Sequence, residues 1–321
     1  MKFIGRSASI VLLAVALLTL NVTRSPAALT KSTEHTLTVD GMTRNYLVYH
    51  SPNIAAGTHP PLVIVMHGYS GRASGVESHY HWDDEADAGQ FIVVYPDGIE
   101  KSWNSGNCCA TAMLNKVDDV KFLTLLVQQL ETDEHVDQHR IYFSGMSNGA
   151  LMSYRMACEA SFPIAAIGPV GGTLDVACPN PQKTSLISIN GGADRMIPFN
   201  GGKSVAGTTT IGAEGKTWQL GLPPIPDVLA KFAALDSCSP LKTTNVPPVM
   251  TEVATCPDNR AVEEIVVAGA GHQWPGGAAP GPAENAAIAA LAARGIYVDP
   301  PSTALSATDT IWQFFSTKTS R

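Results

Sequence analysis

Ile141-Tyr142-Phe143-Ser144-Gly145-Met146-Ser147-Asn148-Gly149-Ala150 joins a short apolar run to a Gly-x-Ser-x-Gly pentapeptide and then to a helical pattern over Asn148 to Glu159. Glycine and serine co-occur often, so the pentapeptide alone says little. Between a strand and a helix it implies a sharp turn that holds Ser147 in strained backbone geometry with its hydroxyl exposed. Gly145 and Gly149 suit that turn because side chains there would collide with neighbouring backbone. The competing role for Ser147 is a helix N-cap.

The flanking sequence has the same texture. Leu62 to Met66, Phe91 to Tyr95, Leu186 to Ile189 and Val262 to Val267 are short runs ending near Gly, Pro or Asn, and read as strands buried on both faces. Between them, Val120, Leu123, Leu126, Val127 and Leu130 follow the helical period behind Asp118-Asp119, which suit capping and helix-dipole roles better than acid/base work. Asp227 to Leu235 and Asp309 to Phe315 are further helices, and Ala286 to Ala293 reads as a surface helix. Ahead of them all, Thr36 to Val39 and Tyr46 to Tyr49 alternate around Asp40-Gly41 as a hairpin. The expected fold is α/β: a mostly parallel central sheet with helices on both faces and an N-terminal antiparallel hairpin. Two irregular stretches, Asn200 to Pro226 and Ala278 to Ser306, read as insertions or active-site loops.

The 321 residues are 45% hydrophobic and 15% charged, which excludes a disordered chain, and the net charge of −7 argues against nucleic-acid and anionic-membrane partners. Lys2 and Arg6, the apolar run Ile10 to Leu20 and the small residues Ser25-Pro26-Ala27-Ala28 have the layout of a secretory signal peptide. The expected organisation is a signal over 1–27, then one catalytic domain over 28–321, exported, off the membrane after cleavage and monomeric. All six cysteines lie in the second part, and an oxidising destination favours disulfides over a metal site. Cys238 with Cys256 is the plausible local pair. A bridge between the adjacent Cys108 and Cys109 would be strained, so each is expected to find another partner.

A serine hydroxyl needs a base. His272 follows the strand Val262 to Val267 and projects at the carboxyl end of the sheet, where chemistry gathers in open α/β folds. His67 beside Gly68 reads as structural, and His79, His81, His135 and His139 lie in polar stretches. Asp194, also at a strand's carboxyl end, is the preferred acid, with Asp175 its rival. The order Ser147, Asp194, His272 is that of α/β-hydrolases. The oxyanion hole would use the amide of Asn148 and one from Tyr69 or Ser70, where Gly68 and Gly71 permit close approach. Trp103 and Trp274 are candidate substrate contacts, with packing as the alternative for each.

Several stretches resemble one family. They are Met66-His67-Gly68-Tyr69, Tyr95-Pro96-Asp97-Gly98, Ser102-Trp103-Asn104 with Cys108-Cys109, Val117-Asp118-Asp119-Val120, Gly145 to Ala150, Asp194 to Pro198 and Gly271-His272-Gln273-Trp274-Pro275-Gly276-Gly277. The chain is similar to secreted poly(3-hydroxybutyrate) depolymerases and feruloyl esterases, akin to carbohydrate esterase family 1, over about residues 35 to 318. The resemblance implies an α/β-hydrolase fold and ester hydrolysis through Ser147, His272 and Asp194, with no metal or organic cofactor. It implies polyester, oligoester or polysaccharide-ester substrates, with feruloyl or acetyl-xylan ester cleavage as one alternative. Acyl transfer and a non-catalytic binding role are alternatives of other classes. Many relatives of this kind carry a separate substrate-binding domain, and this sequence has no linker leading to a second core. Soluble esters and oligomers are therefore expected over crystalline polymer. Ala278 to Ser306 is longer than the resemblance leads one to expect.

Overall fold

In the computed structural model, which describes residues 32–204, 209–211, 216–218, 221–293 and 298–320, Asp40 and Gly41 both take positive φ, 50° and 76°. That conformation suits a two-residue hairpin turn. It joins β1 (Thr33–Val39) to β2 (Met42–His50) in an antiparallel pair. The expected signal at 1–27 lies outside the described residues.

Next come β3 (Leu62–Met66), helices α1 (Ala73–Tyr80) and α2 (Trp82–Gly89), β4 (Ile92–Pro96), α3 (Ala110–Leu114), α4 (Asp119–Asp133), β5 (Ile141–Met146) and α5 (Asn148–Glu159). They are followed by β6 (Ala166–Val170), β7 (Ser185–Gly191) and four short strands, β8 (Gly202–Lys203), β9 (Thr209–Ile211), β10 (Lys216–Trp218) and β11 (Gly221–Leu222). The last elements are α6 (Ile225–Leu235), β12 (Lys242–Val246), β13 (Val249–Thr255), β14 (Ala261–Val267), α7 (Pro282–Ala292) and α8 (Ala307–Phe315). The main sheet has ten strands in the order β1-β2-β4-β3-β5-β6-β7-β14-β13-β12. The six from β4 to β14 run parallel, and an antiparallel hairpin closes each edge. The expected mostly parallel sheet and leading hairpin are both present.

Successive side chains in a strand point to opposite faces, so an unbroken apolar run serves two cores at once. In β3, Leu62, Ile64 and Met66 pack with Leu123, Leu126 and Val127 of α4 and Leu151 of α5. Val63 and Val65 face the other way, toward Val76, Trp82 and Ile311 on α1, α2 and α8. Helices on both faces follow from that division.

The patterning does not point to α1 and α2, which lack side-chain caps, or to β6 and the β12–β13 hairpin. β6 reads Ala-Ile-Gly-Pro-Val, and its glycine and proline mask a central strand. A Cβ on Gly168 would meet Ile311 at 2.7 Å and Phe315 at 2.9 Å, so the glycine lets α8 lie against the sheet. β12 is exposed and polar and is held by its pairing with β13. Asp118 caps α4 through Lys121 N, as expected. Asp119 takes a different role: fully buried, it accepts from Arg44 Nη2 at 2.7 Å and from Asn104 N at 2.7 Å. Arg44 lies 3.9 Å over the Phe122 ring.

Cys238 pairs with Cys256, and Cys158 with Cys178. The expectation of separate partners for Cys108 and Cys109 is overturned. These two are joined to each other, their Cα atoms 3.1 Å apart, because the other four thiols are mutually paired and none is free to reach them.

On β14, Glu264 is buried behind the sheet and accepts from Asn190 Nδ2 at 2.9 Å. Burial pushes its carboxyl up to about 8 from an ordinary 4.5. The folded chain therefore keeps this proton where the unfolded chain has lost it. The resulting stability is full below pH 4.5, falls as pH rises toward about 8, and changes no further above that. Glu264→Gln removes this part of the slope and raises Tm at pH 8 by about 5 °C, with little change at pH 4.5. Circular-dichroism melts across that range measure it, and a variant less stable than the parent at pH 8 refutes the assignment.

Candidate active site

Ser147 stands between β5 and α5 with φ 55° and ψ −118°, a conformation that L-residues rarely adopt. The turn is pressed against the end of β3. A Cβ on Gly145 would lie 2.7 Å from Met66 O, and one on Gly149 would collide with the same carbonyl. Main-chain bonds fix it further: Ser147 N donates to Val170 O at 3.0 Å, and Leu151 N donates to Ser147 O at 2.9 Å. The Asn148 side chain is buried and ties the turn to a neighbouring loop. Its Oδ1 accepts from Trp103 N at 2.7 Å, and its Nδ2 donates to Trp103 O at 3.0 Å and Ser105 Oγ at 3.2 Å. The main-chain N–H of Asn148 lies at the first residue of α5, where amides have no partner within the helix.

The loop after β3 lies over this turn. A Cβ on Gly68 would sit 3.3 Å from Ser147 Cβ. Ser70 N donates to Lys101 O at 2.9 Å, and Gly71 N to Gly68 O at 3.0 Å. Of the two residues the sequence left open, Ser70 has its amide engaged, which leaves Tyr69 as the candidate donor. His67 is structural, as expected. Burial holds its pKa below the usual histidine range. Its Nε2 accepts from Gly98 N at 2.9 Å, so the proton is on Nδ1, which donates to Gly68 O at 2.8 Å.

At the far ends of β7 and β14 the other two residues meet. His272 Nδ1 lies 2.6 Å from Asp194 Oδ2. The second carboxylate oxygen, Oδ1, accepts from Met196 N at 2.7 Å and Ile197 N at 2.9 Å, so the acid is held by its own turn. Gly171, at φ +57°, passes behind the pair, and a Cβ there would lie 3.4 Å from His272 Nδ1. Asp175 does not join them. It is buried beside Asn107, and burial raises its carboxyl to about 7. A cleft of about 530 Å³ contains both Ser147 and His272, with Gly68 to Arg72, Tyr80, Met196 and Gln273 among its walls. Ser147 Oγ makes no hydrogen bond to His272 in this structure; contacts of this kind often tighten only when substrate is bound.

Neither tryptophan faces that cleft. Trp103, 0% exposed, donates from Nε1 to His67 O at 3.0 Å and packs beside Phe122. Trp274, 2% exposed, donates to Thr308 Oγ1 at 3.1 Å and stacks on Tyr80 with centroids 4.1 Å apart. Both expected substrate contacts are packing residues, because each indole N–H and ring face is taken up inside the protein. Tyr80, on which Trp274 stacks, lines the cleft. Tyr69, 51% exposed, is the aromatic ring at the rim.

Patterning gave no signal for Gly171, Tyr80, Arg72 or Asp299. Asp299 Oδ2 accepts the main-chain N–H of His272 at 2.8 Å. Its only trace in the sequence is the unexpected length of the stretch that carries it.

No protein-family model matches the chain. The putative esterase NocK of Nocardia uniformis subsp. tsuyamanensis is 28% identical over 270 residues, covering 81% of this chain and 78% of that protein. Feruloyl esterase B of Piromyces equi is 31% identical over 156 residues, 45% of this chain, which spans only 28% of that longer protein. Among solved structures, an acetyl xylan esterase from Aspergillus awamori superposes with TM-score 0.52 at 16% identity, over 75% of this chain and 94% of that one. The chain therefore has the α/β-hydrolase fold, and the curated proteins it is similar to are named as esterases.

Proposed function

We propose that this chain is an exported serine esterase in which Ser147 is the nucleophile, His272 the general base and Asp194 the acid that orients His272. The observation that carries the reading is the 2.6 Å contact between His272 Nδ1 and Asp194 Oδ2, in a cleft that His272 shares with Ser147. Ser147 Oγ bonds to the ester carbonyl carbon and its proton passes to His272 Nε2. The N–H groups of Asn148 and Tyr69 receive the charge on the carbonyl oxygen. Collapse expels the alcohol, which takes the proton from His272, and leaves an acyl-serine. Water then repeats the sequence, giving its proton to His272 and releasing the acid. Export rests on the signal-like sequence at 1–27, with residues 28–321 as the catalytic domain.

The substrates we propose are short acyl and hydroxycinnamoyl esters, including acetyl and feruloyl groups on polysaccharide. Support comes from the names of the relatives and from Tyr69, whose half-exposed ring at the rim suits an aromatic acid or a sugar face. A second reading, cleavage of short hydroxyalkanoate oligoesters, is favoured by Arg72. It is exposed and lines the cleft, and no acidic side chain stands among the lining residues. The free carboxylate that ends such an oligomer would meet that guanidinium. A hydrolysis panel on the purified protein separates the two, using methyl ferulate, acetylated xylan, nitrophenyl butyrate, 3-hydroxybutyrate trimer and a long-chain triglyceride. Ferulate and acetyl release at least about 10-fold faster than trimer cleavage supports the first reading. The reverse order supports the second, and preference for the triglyceride overturns both.

A further inference from the structure

We propose that Asp299 is a positioning residue for His272, and that the stretch between Ala278 and Ser306 serves to deliver it. The inference rests on His272 being the base. Three observations carry it. Asp299 Oδ2 accepts the His272 main-chain N–H at 2.8 Å from 27 residues away. A Cβ on Gly271 would overlap the Asp299 carboxyl carbon, so the glycine beside the histidine leaves room for this carboxylate. The same return of the chain is fastened to the histidine loop twice more, by Gly276 N to Ser302 O at 2.7 Å and Ala307 N to Pro275 O at 2.9 Å.

The opposite side of the loop is held by Ala193 N donating to Ala270 O at 2.8 Å, next to Asp194. His272 is thus clamped between two acids that act on different atoms. Asp194 holds the ring at Nδ1, and Asp299 holds the backbone from which the ring swings. The bond to Asp299 fixes the His272 main chain from outside its own turn. Without it the ring pivots about its Asp194 contact and Nε2 leaves the line to Ser147. An error of about 1 Å in such a line costs on the order of 100-fold in rate.

The test uses Asp299→Ala, Asp299→Asn and Gly271→Ala in the full chain, with kcat and KM on nitrophenyl butyrate, Tm, and the downfield proton resonance of His272 Nδ1–H. Asp299→Ala is expected to lower kcat by about 10- to 100-fold with KM unchanged. Asp299→Asn keeps an acceptor oxygen and is expected to recover most of that loss. Gly271→Ala displaces the carboxylate and is expected to behave like Asp299→Ala. The downfield resonance should persist in the Asn variant and shift or broaden in the other two. Unchanged kcat in Asp299→Ala or in Gly271→Ala overturns the proposal. So does a rise in KM alone, which would make Asp299 a substrate contact in the neighbouring pocket it lines with Gln273 and Ile288. An Asn variant as slow as the Ala variant overturns it as well. If His272→Ala retains activity, it is the assignment of the base that fails, whatever Asp299 does.

Discussion

Ser147→Ala is expected to lower kcat on a nitrophenyl acyl ester by on the order of 10⁶-fold, and His272→Ala by a similar factor. The two act on one proton in one step, so the double variant should be little worse than either alone. Ser147→Ala should fold normally. The φ of 55° stays as unfavourable for alanine as for serine, and the turn is held by main-chain bonds to Val170 O and Leu151 N that the substitution leaves in place. Single-turnover kinetics and a melt on the same preparation check both halves. Residual turnover within about 100-fold of the parent by the alanine variant would remove Ser147 from the nucleophile's role.

Asp194→Asn should cost about 10⁴-fold in kcat. An asparagine amide facing Nδ1 favours the wrong tautomer and gives no charge to balance the imidazolium. Asp175→Asn is the control and should lie within about 3-fold of the parent. Its carboxyl has been pushed to about 7 by burial, so a neutral amide of the same shape resembles the form already half populated at neutral pH. Reversal of these two results, with Asp175→Asn crippled and Asp194→Asn near the parent, would falsify the choice of acid.

The sequence determined the frame, the turn that carries Ser147 and the meeting of His272 with Asp194 for a shared physical reason: each is encoded locally. Leu62 to Met66 is apolar at every position because neighbouring residues face two different cores, and that signature survives without knowing what lies on either side. Ser147 is marked by glycines two residues away on each side, both required by one carbonyl, Met66 O. Asp194 and His272 could be read because each follows its own strand, and the ends of parallel strands lie along one edge. The tertiary structure decided what depends on residues far apart in the chain meeting in space. Trp103 and Trp274 look alike in sequence whether they line a cleft or fill a core. Their burial is settled by His67 O for Trp103 and by Tyr80 and Thr308 for Trp274, between 34 and 194 residues away in the chain, which no local pattern records.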